Sequence, residues 1–354
     1  MQTQHVQEPQ QGYELPNSPT LPDEPYYQQA ENNSRRRMGL ALLVIGFLWL
    51  LIEFNGMGII LSGNRPTDTR LHLPTAPSQI ELNLGSGDVD VVVNQSDEFE
   101  IVANYRGPWQ GEPLAHSQSG DRLTVNNNAH RGPFGFGFCF GKCDLNYHVS
   151  IPADSQLILQ TSSGDIVLKG SLDRPQISSS SGDIRLENAE LGATITSSSG
   201  NIRLNHVAGQ VDLKTTSGDI KLNNGRITDS RAESTSGDIE LNGVVGELHA
   251  STTSGDINIK DIKQGQVDLR SMSGELCAEG ELVGTSTLET TSGDVELRLV
   301  PNSNITINAT TISGDINASK LVNQQGNKRE LHGQLGDGSA TININTTSGD
   351  IRIK

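Results

Sequence analysis

The feature that most constrains this chain is a short phrase, Ser-Gly-Asp-Ile or a close variant, that returns at nearly constant intervals. It is first complete at Ser163-Gly164-Asp165-Ile166, after an earlier copy at Gly87-Asp88-Val89. From Gly164 to Gly293, successive copies are separated by 18 or 19 residues. A period this regular is typical of a stacked repeat architecture. The glycines of the later copies are Gly182, Gly200, Gly218, Gly237, Gly255, Gly274, Gly293, Gly314 and Gly349.

Within each repeat the apolar residues alternate with polar ones, as expected for a strand with one buried face. Ile184 and Leu186 share one face, and Asp183 and Arg185 share the other. Further inward positions precede each Ser-Gly, and a looser apolar site between the strands falls at Leu191, Val207, Ile227 and Ile262. The pattern predicts an all-β fold, a parallel β-solenoid or β-helix of 18–19-residue coils stacked about 4.8 Å apart.

The phrase itself is interpreted as a structural turn column. Glycine permits backbone angles that residues with a Cβ resist, and the aspartate side chain can accept hydrogen bonds from nearby amides in the turn. The preceding Ser and Thr residues can form hydroxyl ladders from coil to coil. The column comprises Gly164, Asp165, Gly182, Asp183, Gly218, Asp219, Gly237, Asp238, Gly255, Asp256, Gly293 and Asp294.

A column of stacked carboxylates is also a candidate calcium site. Neighbouring charges about 4.8 Å apart repel by roughly 1 kcal/mol in a water-like dielectric. Calcium-binding solenoids, however, use a nine-residue Gly-Gly-x-Gly-x-Asp repeat that aligns several oxygens per ion, whereas each coil here supplies one carboxylate. We therefore expect a structural role, with no metal and no cofactor.

The N-terminal region differs in composition from the repeats. Residues 1–37 are rich in Gln, Pro, Asn and Glu, which predicts a disordered tail. Residues 38–61 are long and apolar enough for a transmembrane helix. Arg35–Arg37 precede this run and place the tail in the cytoplasm and the C-terminal domain outside. A cleaved signal peptide is the alternative, but no small-residue cleavage site follows.

Residues 62–78 contain three prolines and are predicted to form a linker, and the extracytoplasmic solenoid is expected at 79–354. The segment 105–147 interrupts the alternation and is expected to be an inserted loop or a cap. It contains the alternating residues Phe134, Phe136, Phe138 and Phe140. Two interpretations remain open for these side chains: a lid over the open end of the solenoid, or an apolar surface for a partner, a glycan or a membrane.

The chain has three cysteines, too few for a disulfide scaffold. Cys139 and Cys143 lie four residues apart and can close a small disulfide in an oxidising compartment or remain free. Cys277 takes the outward position that Arg185 and Lys221 hold in sister repeats, which predicts an exposed thiol.

Composition limits the possible partners and chemistry. The net charge of −16 argues against nucleic acid or anionic lipid as the main ligand. The 4% of aromatic residues suits a narrow core filled by Ile, Val and Leu. Several polysaccharide lyases are parallel β-helices with acidic clusters, but their chemistry needs a focal group of side chains. A carboxylate column that is uniform along the stack favours structure over catalysis, so no enzyme activity is expected.

Together these motifs resemble a family of bacterial envelope proteins that carry a putative-adhesin domain of unknown function. The resemblance covers 79–354 and includes Val149-Ser150-Ile151-Pro152 before the repeats, a break at Pro301-Asn302-Ser303 and the closing Gly336-Asp337-Gly338. It implies a β-solenoid fold and transfers no catalytic residues.

The sequence thus predicts a single-pass membrane protein whose solenoid binds or scaffolds an envelope protein or glycan. The alternative is an envelope-stress regulatory component that signals through the tail, because the run from Arg35 to Gly56 resembles segments of such proteins. A polysaccharide-active enzyme is the third hypothesis.

Overall fold

The computed structural model of the protein describes residues 67–106, 109–128, 130–131, 144–319 and 321–354. Within these ranges the chain is all-β and contains no helix, which confirms the predicted fold class for this part. The tail expected at 1–37 and the transmembrane helix expected at 38–61 lie outside these residues. Across the described ranges, no helix has the length and apolarity needed to cross a membrane.

The strands fall into an N-terminal group, a regular central group and a C-terminal group. The first group is β1 Thr67–Leu73, β2 Gln79–Ser86, β3 Asp88–Asn94, β4 Phe99–Tyr105, β5 Trp109–Gln110, β6 Ala115–Ser119, β7 Arg122–Asn126, β8 His130–Arg131 and β9 Leu145–Pro152. The central group is β10 Gln156–Ser163, β11 Ile166–Lys169, β12 Gln176–Ser181, β13 Ile184–Ala189, β14 Ala193–Ser199, β15 Ile202–Gly209, β16 Val211–Ser217, β17 Ile220–Asn223, β18 Arg226–Ile227, β19 Ser230–Ser236, β20 Ile239–Val244, β21 Glu247–Ser254, β22 Ile257–Ser273, β23 Leu276–Leu282, β24 Thr285–Ser292 and β25 Val295–Leu299. The last group is β26 Ile305–Ser313, β27 Ile316–Ala318, β28 Val322–Gly326, β29 Glu330–Leu335, β30 Ala340–Ser348 and β31 Ile351–Ile353.

Each coil of the central group contributes one strand before the Ser-Gly-Asp turn and one after it. The strands before the turn stack in parallel as sheet I, for example β12 on β14 and β14 on β16. The strands after the turn stack in parallel as sheet II, for example β13 on β15 and β15 on β17. Strand β22 is long enough to run from sheet II into sheet I of the next coil.

The core lies between the two sheets and is built from equivalent residues stacked in register. Ile184, Ile202 and Ile220 lie directly over one another and are fully buried. Burying such a side chain contributes about 1.5–3 kcal/mol to the stability of the fold. The strand register that keeps every apolar residue inside is therefore favoured.

One apolar position was assigned wrongly from the sequence. Leu191 was expected inside, but its side chain is 54% exposed. Ala189 is buried in its place and pairs with Val207 of the next coil. Asn188 has a left-handed φ of 59°, as His206 does before the buried Val207 (53°), so in both coils this conformation directly precedes the inward residue.

The region predicted as a linker also contains a strand. Thr67–Leu73 form β1, which pairs antiparallel with β4 over all seven residues. Leu71 and Leu73 alternate with exposed residues and pack against the core. The cost of ordering these residues is offset by this burial and by the ladder of hydrogen bonds to β4.

At both ends of the stack the coils are out of chain order, which the regular period did not predict. The coil made by β7 and β9 lies beside β2 and β3, on the side opposite the next coil, β10 and β11. At the other end, β30 and β31 lie between the coil of β24 and β25 and the strands β26 and β27. The last segment of the chain therefore fills a gap inside the stack.

Antiparallel strands close the two ends of the solenoid. Strands β4 and β6 cover β9 and β7 at one end, and β29 covers β26 at the other. The segment predicted as an inserted loop or cap, 105–147, thus supplies both a capping strand, β6, and a strand of a regular coil, β7. The short edge strand β27 is covered by a hydrogen bond from the Ile316 amide to the Lys328 carbonyl (2.8 Å) and one from Gln324 Nε2 to the Ala318 carbonyl (2.9 Å). Covered edges discourage pairing with other chains.

The core of the N-terminal end contains a buried phenol. Tyr147 on β9 is fully buried, and its hydroxyl has no hydrogen-bond partner among the described residues. Burial raises the pKa of the Tyr147 phenol above its ordinary value. We expect Tyr147→Phe to stabilise the protein by about 1 kcal/mol at neutral pH, because an unsatisfied buried hydroxyl is removed.

The same substitution should change the response to alkaline pH. In the wild type, stability is complete below the phenol's ordinary pKa of about 10 and falls as the pH rises above it, because the unfolded chain releases a proton that the folded chain holds. Urea unfolding between neutral pH and about pH 11 should show a shallower fall for Tyr147→Phe. Tyr105→Phe, at a half-buried tyrosine, is the matched control, and equal pH profiles for all three proteins would contradict the prediction.

Candidate functional site

The glycines of the repeated phrase stand where consecutive coils approach each other closely. A Cβ added to Gly218 would lie 2.2 Å from the carbonyl oxygen of Gly200, and one added to Gly237 would lie 2.0 Å from that of Gly218. Gly164 and Gly182 also have positive φ angles, but Gly218 and Gly237 do not. Every glycine of the column is therefore needed because it has no side chain. The positive backbone angle, which was proposed from the sequence as the reason, applies to only some of them.

The aspartates form a ladder between coils. Oδ1 of Asp165 accepts a hydrogen bond from the amide of Asp183, and Oδ1 of Asp219 accepts one from the amide of Asp238, at 2.9 and 3.0 Å. Asn201 takes part in the same way, with its Oδ1 accepting from the Asp219 amide at 2.9 Å. The acceptor thus serves the neighbouring coil and not its own turn, which differs from the interpretation based on sequence.

One step of this ladder is interrupted. The Glu275 amide donates to Asp256 Oδ1 at 2.7 Å, but within the described chain no side chain accepts from the amide of Asp294. The ladder resumes from Asp294 to Asp350 (2.8 Å) and from Asp350 to Asp315 (3.0 Å), following the spatial order of the coils. The longer glutamate side chain does not reproduce the aspartate contact.

Buried hydroxyl groups add a further hydrogen bond at many corners. Thr215 Oγ1 donates to the carbonyl of Gly200, and Thr252 Oγ1 donates to that of Gly237, both at 3.2 Å. The same bond recurs at Ser234, Ser271, Thr290, Thr311 and Thr346. The sequence predicted ladders between the hydroxyl groups, and one such bond occurs, from Thr161 to Ser179 at 3.2 Å. Elsewhere the glycine carbonyl is the acceptor.

Basic residues on sheet II pair with several carboxylates of the ladder. Arg203 contacts Asp183, and Arg352 contacts Asp294 at 2.8 Å. Partial burial alone would raise the pKa of Asp183, but the Asn201 amide and the Arg203 guanidinium outweigh it and lower this pKa overall. These groups remain partly exposed, so each ion pair contributes at most about 1 kcal/mol.

Of the candidate residues outside the ladder, only Cys277 lies among the residues that the structure describes. Phe134, Phe136, Phe138, Phe140, Cys139 and Cys143 lie outside the described residues. Cys277 faces outward between Asn258 and Glu296, but it is half-buried, and this burial raises the pKa of its thiol. The expectation of a freely exposed thiol is therefore wrong. Across the described ranges, no group of three or more His, Cys, Asp or Glu residues is placed to hold a metal ion.

Sheet I carries two different outward surfaces. In its middle, charged side chains of adjacent coils pair with one another, as Lys214 does with Glu233 (3.5 Å) and His249 with Asp268 (3.3 Å). Near its N-terminal end glutamine amides and a few charged side chains line an open groove between Gln79, Gln156 and Gln176. Nothing in the regular repeat distinguishes these residues, so the sequence did not indicate the groove.

Comparison with known proteins gives a family match. The model of the family described as Toastrack DUF4097 matches residues 78–264 and 242–354. No curated protein matches the chain.

The comparison with solved structures matches bacterial proteins over most of their length. A putative adhesin from Bacteroides fragilis is 10% identical, with 81% of this chain and 97% of that chain covered and a TM-score of 0.39. A putative lipid binding protein from Parabacteroides distasonis is 13% identical, with 82% and 97% covered and a TM-score of 0.40. A putative adhesin from the same species is 12% identical, with 82% and 97% covered and a TM-score of 0.40.

The close approach at the glycine column gives a stability prediction. Gly218→Ala should lower the free energy of unfolding by about 3 kcal/mol, because the new methyl group meets a backbone carbonyl that cannot move without opening the stack. Gly85→Ala is the matched control, because its Cβ would meet only the Asn127 side chain at 3.8 Å. It should change stability by less than about 0.5 kcal/mol. Equal urea unfolding midpoints for the two variants would contradict the prediction.

The ladder predicts that acceptor geometry matters more than charge at Asp219. Asp219→Asn keeps an oxygen for the Asp238 amide, as Asn201 does naturally, and should change stability by less than about 0.5 kcal/mol. Asp219→Ala removes the acceptor and should cost about 1–2 kcal/mol. Thermal unfolding followed by circular dichroism measures both. If the Asn and Ala variants lost equal stability, the charge and not the hydrogen bond would be responsible.

Proposed function

The chain belongs to the Toastrack DUF4097 family, as its sequence motifs indicated, and from this premise we propose that it is a non-catalytic binding or scaffold module of the bacterial cell envelope. The observation that carries the proposal is the repeated corner of the solenoid. At the corners of Gly218, Gly237 and Gly255, for example, the glycine contact is accompanied by two kinds of hydrogen bond between coils, one accepted by an aspartate or asparagine side chain and one donated by a buried hydroxyl group. A stack fixed in this way holds outward side chains at constant spacing, which lowers the entropy that a binding surface loses on association.

The outward residues differ between coils although the inward ones hardly change. In sheet II the same outward position is Arg203, Lys221, Glu240 and Asn258 in successive coils. The inward neighbours over this range are all isoleucine or leucine. This contrast supports recognition of a partner along the side of the stack, because a rigid surface with varied chemistry provides specificity.

We also propose that residues 38–61 anchor the module in the membrane, with residues 1–37 in the cytoplasm and the solenoid outside. Support comes from the length of the apolar run and from the three arginines that precede it. An anchored solenoid would meet envelope proteins and glycans and would have no access to nucleic acid.

Cross-linking in intact bacteria tests the proposal. The full chain with an affinity tag after Lys354 should fractionate with membranes and, after cross-linking, should retain a specific envelope protein or glycan. Gly218→Ala, which disturbs the stack, should reduce that recovery, whereas Gly85→Ala should not. Deleting residues 1–33 should leave the recovery unchanged.

The outcomes separate the hypotheses. A binding role for the coils would be contradicted if cross-linking recovered no envelope component. It would also be contradicted if a variant with a disordered solenoid recovered as much as the wild type. A changed envelope-stress response on deletion of residues 1–33, with recovery unaffected, would favour the regulatory alternative. A full chain that is found in the soluble fraction would contradict the proposed anchor.

A further inference from the structure

The outward face of sheet I forms a groove of about 360 Å³ near the N-terminal end of the stack. Its walls include Gln79, Gln156 and Gln176, together with Arg122 and Arg174. The volume falls within the range of small-molecule sites in proteins, but the lining is polar where most such sites are apolar. The ligand that suits this lining should therefore be rich in hydrogen-bonding groups.

The register of the strands arranges these side chains along a line. Gln79 pairs with Arg122 on one side and with Gln156 on the other, so the three lie in consecutive coils. Arg174 follows in the next coil, two residues before Gln176, which pairs with Ile158. Three steps between coils correspond to about 14 Å from the Arg122 coil to the Arg174 coil.

Backbone hydrogen bonds hold the floor of the groove in place. The Gln156 amide donates to the Ser78 carbonyl at 2.7 Å, and the Gln79 amide donates to the Asp121 carbonyl at 3.1 Å. The Asp121 carboxylate in turn accepts hydrogen bonds from the Ser78 hydroxyl and, at Oδ1, from the Ser78 amide (3.0 Å). The hydroxyl bond first and the amide bond second lower the pKa of the Asp121 carboxyl. The side chains that line the groove therefore project from a fixed backbone.

Several polar groups of the groove have no partner in the described chain, although Arg122 pairs with Glu81 at 4.0 Å. Within the described chain the side-chain amides of Gln79, Gln156 and Gln176 make no hydrogen bond, and Arg174 makes no ion pair. In the middle of the same sheet, by contrast, Arg270 is paired with Asp268 at 2.9 Å. Arg174 also has a left-handed backbone with φ of 46°, a conformation that costs a residue with a side chain about 1–3 kcal/mol.

The chemistry of the lining points to a neutral ligand with many hydroxyl groups. A glutamine amide offers both donors and acceptors, and a guanidinium offers five donors. Arg122 and Arg174 are balanced by Glu81 and Asp173, so the groove carries no net charge. The half-buried Ile158 supplies an apolar surface within it. A charged polymer gains little here, because neither sign of charge is in excess.

We propose that this groove binds a neutral oligosaccharide, with the glutamine amides and Arg174 bonded to its hydroxyl groups and Ile158 against a ring face. The inference rests on the proposed binding function and names the ligand class for one part of the surface. It places recognition at the N-terminal coils and not on the charged middle of sheet I.

Saturation-transfer NMR with the full chain in detergent micelles tests the proposal. The probes are cellotriose, chitotriose and maltotriose, with trigalacturonic acid as the acidic comparator, each at concentrations up to about 10 mM to cover weak binding. We expect at least one neutral trisaccharide to bind, and Gln156→Ala and Arg174→Ala each to weaken it at least about fivefold. Gln160→Ala, an exposed glutamine on the same strand β10 but outside the groove, should leave binding unchanged.

Three outcomes would overturn the proposal: binding of none of the neutral probes, binding of the acidic probe alone, or binding that Gln156→Ala and Arg174→Ala leave intact. Circular dichroism of each variant shows whether a loss reflects unfolding. The envelope cross-linking experiment, repeated with Gln156→Ala and Arg174→Ala combined, separates the two proposals. If no trisaccharide binds but the double variant still recovers the envelope component in full, the groove proposal is rejected and the proposed binding function is retained. If the wild type recovers no envelope component, the proposed binding function itself is rejected.

Discussion

The structure depends on the close approach of one coil to the next at the glycine of the repeated phrase. At Gly182, Gly218 and Gly237 the space for a Cβ is already taken by the carbonyl of the preceding glycine, 2.0–2.2 Å from where that atom would lie. This approach brings the aspartate oxygen to the amide of the adjacent coil and the buried hydroxyl to the glycine carbonyl. The three contacts are one geometric unit, so the same residue types recur together.

The acidic column is tolerated because most of its carboxylates accept a hydrogen bond from a fixed backbone amide of the adjacent coil. Repulsion between neighbouring charges is about 1 kcal/mol in a water-like dielectric, and a hydrogen bond to a charged group contributes about 1.5–3 kcal/mol. Asn201 shows that an oxygen at the right place is sufficient, and Glu275 shows that a longer carboxylate interrupts the ladder. The faithful repetition of aspartate is thus explained by side-chain length, and the column has a structural role.

The repeat also separates stability from recognition. The corners and the core use the same residues in almost every coil, so the outward positions are free to vary without loss of the fold. In the middle of sheet I this variation produces charges that pair with each other. In the N-terminal coils it produces amides and an arginine without partners in the described chain, around a groove of fixed backbone. The outward surface of sheet I thus has two parts: one where charged side chains pair with each other, and one where several polar side chains have no partner in the described chain.

The sequence by itself determined the coil length, the alternation of buried and exposed residues and the all-β class, because these follow from local period and from the burial of Ile and Leu. It placed Ile184 and Leu186 inside correctly, and it failed at Leu191, because Ala189 is the residue in register with the buried Val207 of the next coil. Only the tertiary structure decided the order of the end coils, the pairing of β1 and the position of the groove. The Asp350 amide reaches Asp294 across 56 residues. Such a pairing leaves no periodic signal, because it is made by the non-local pairing of β30 with β24 and of β31 with β25.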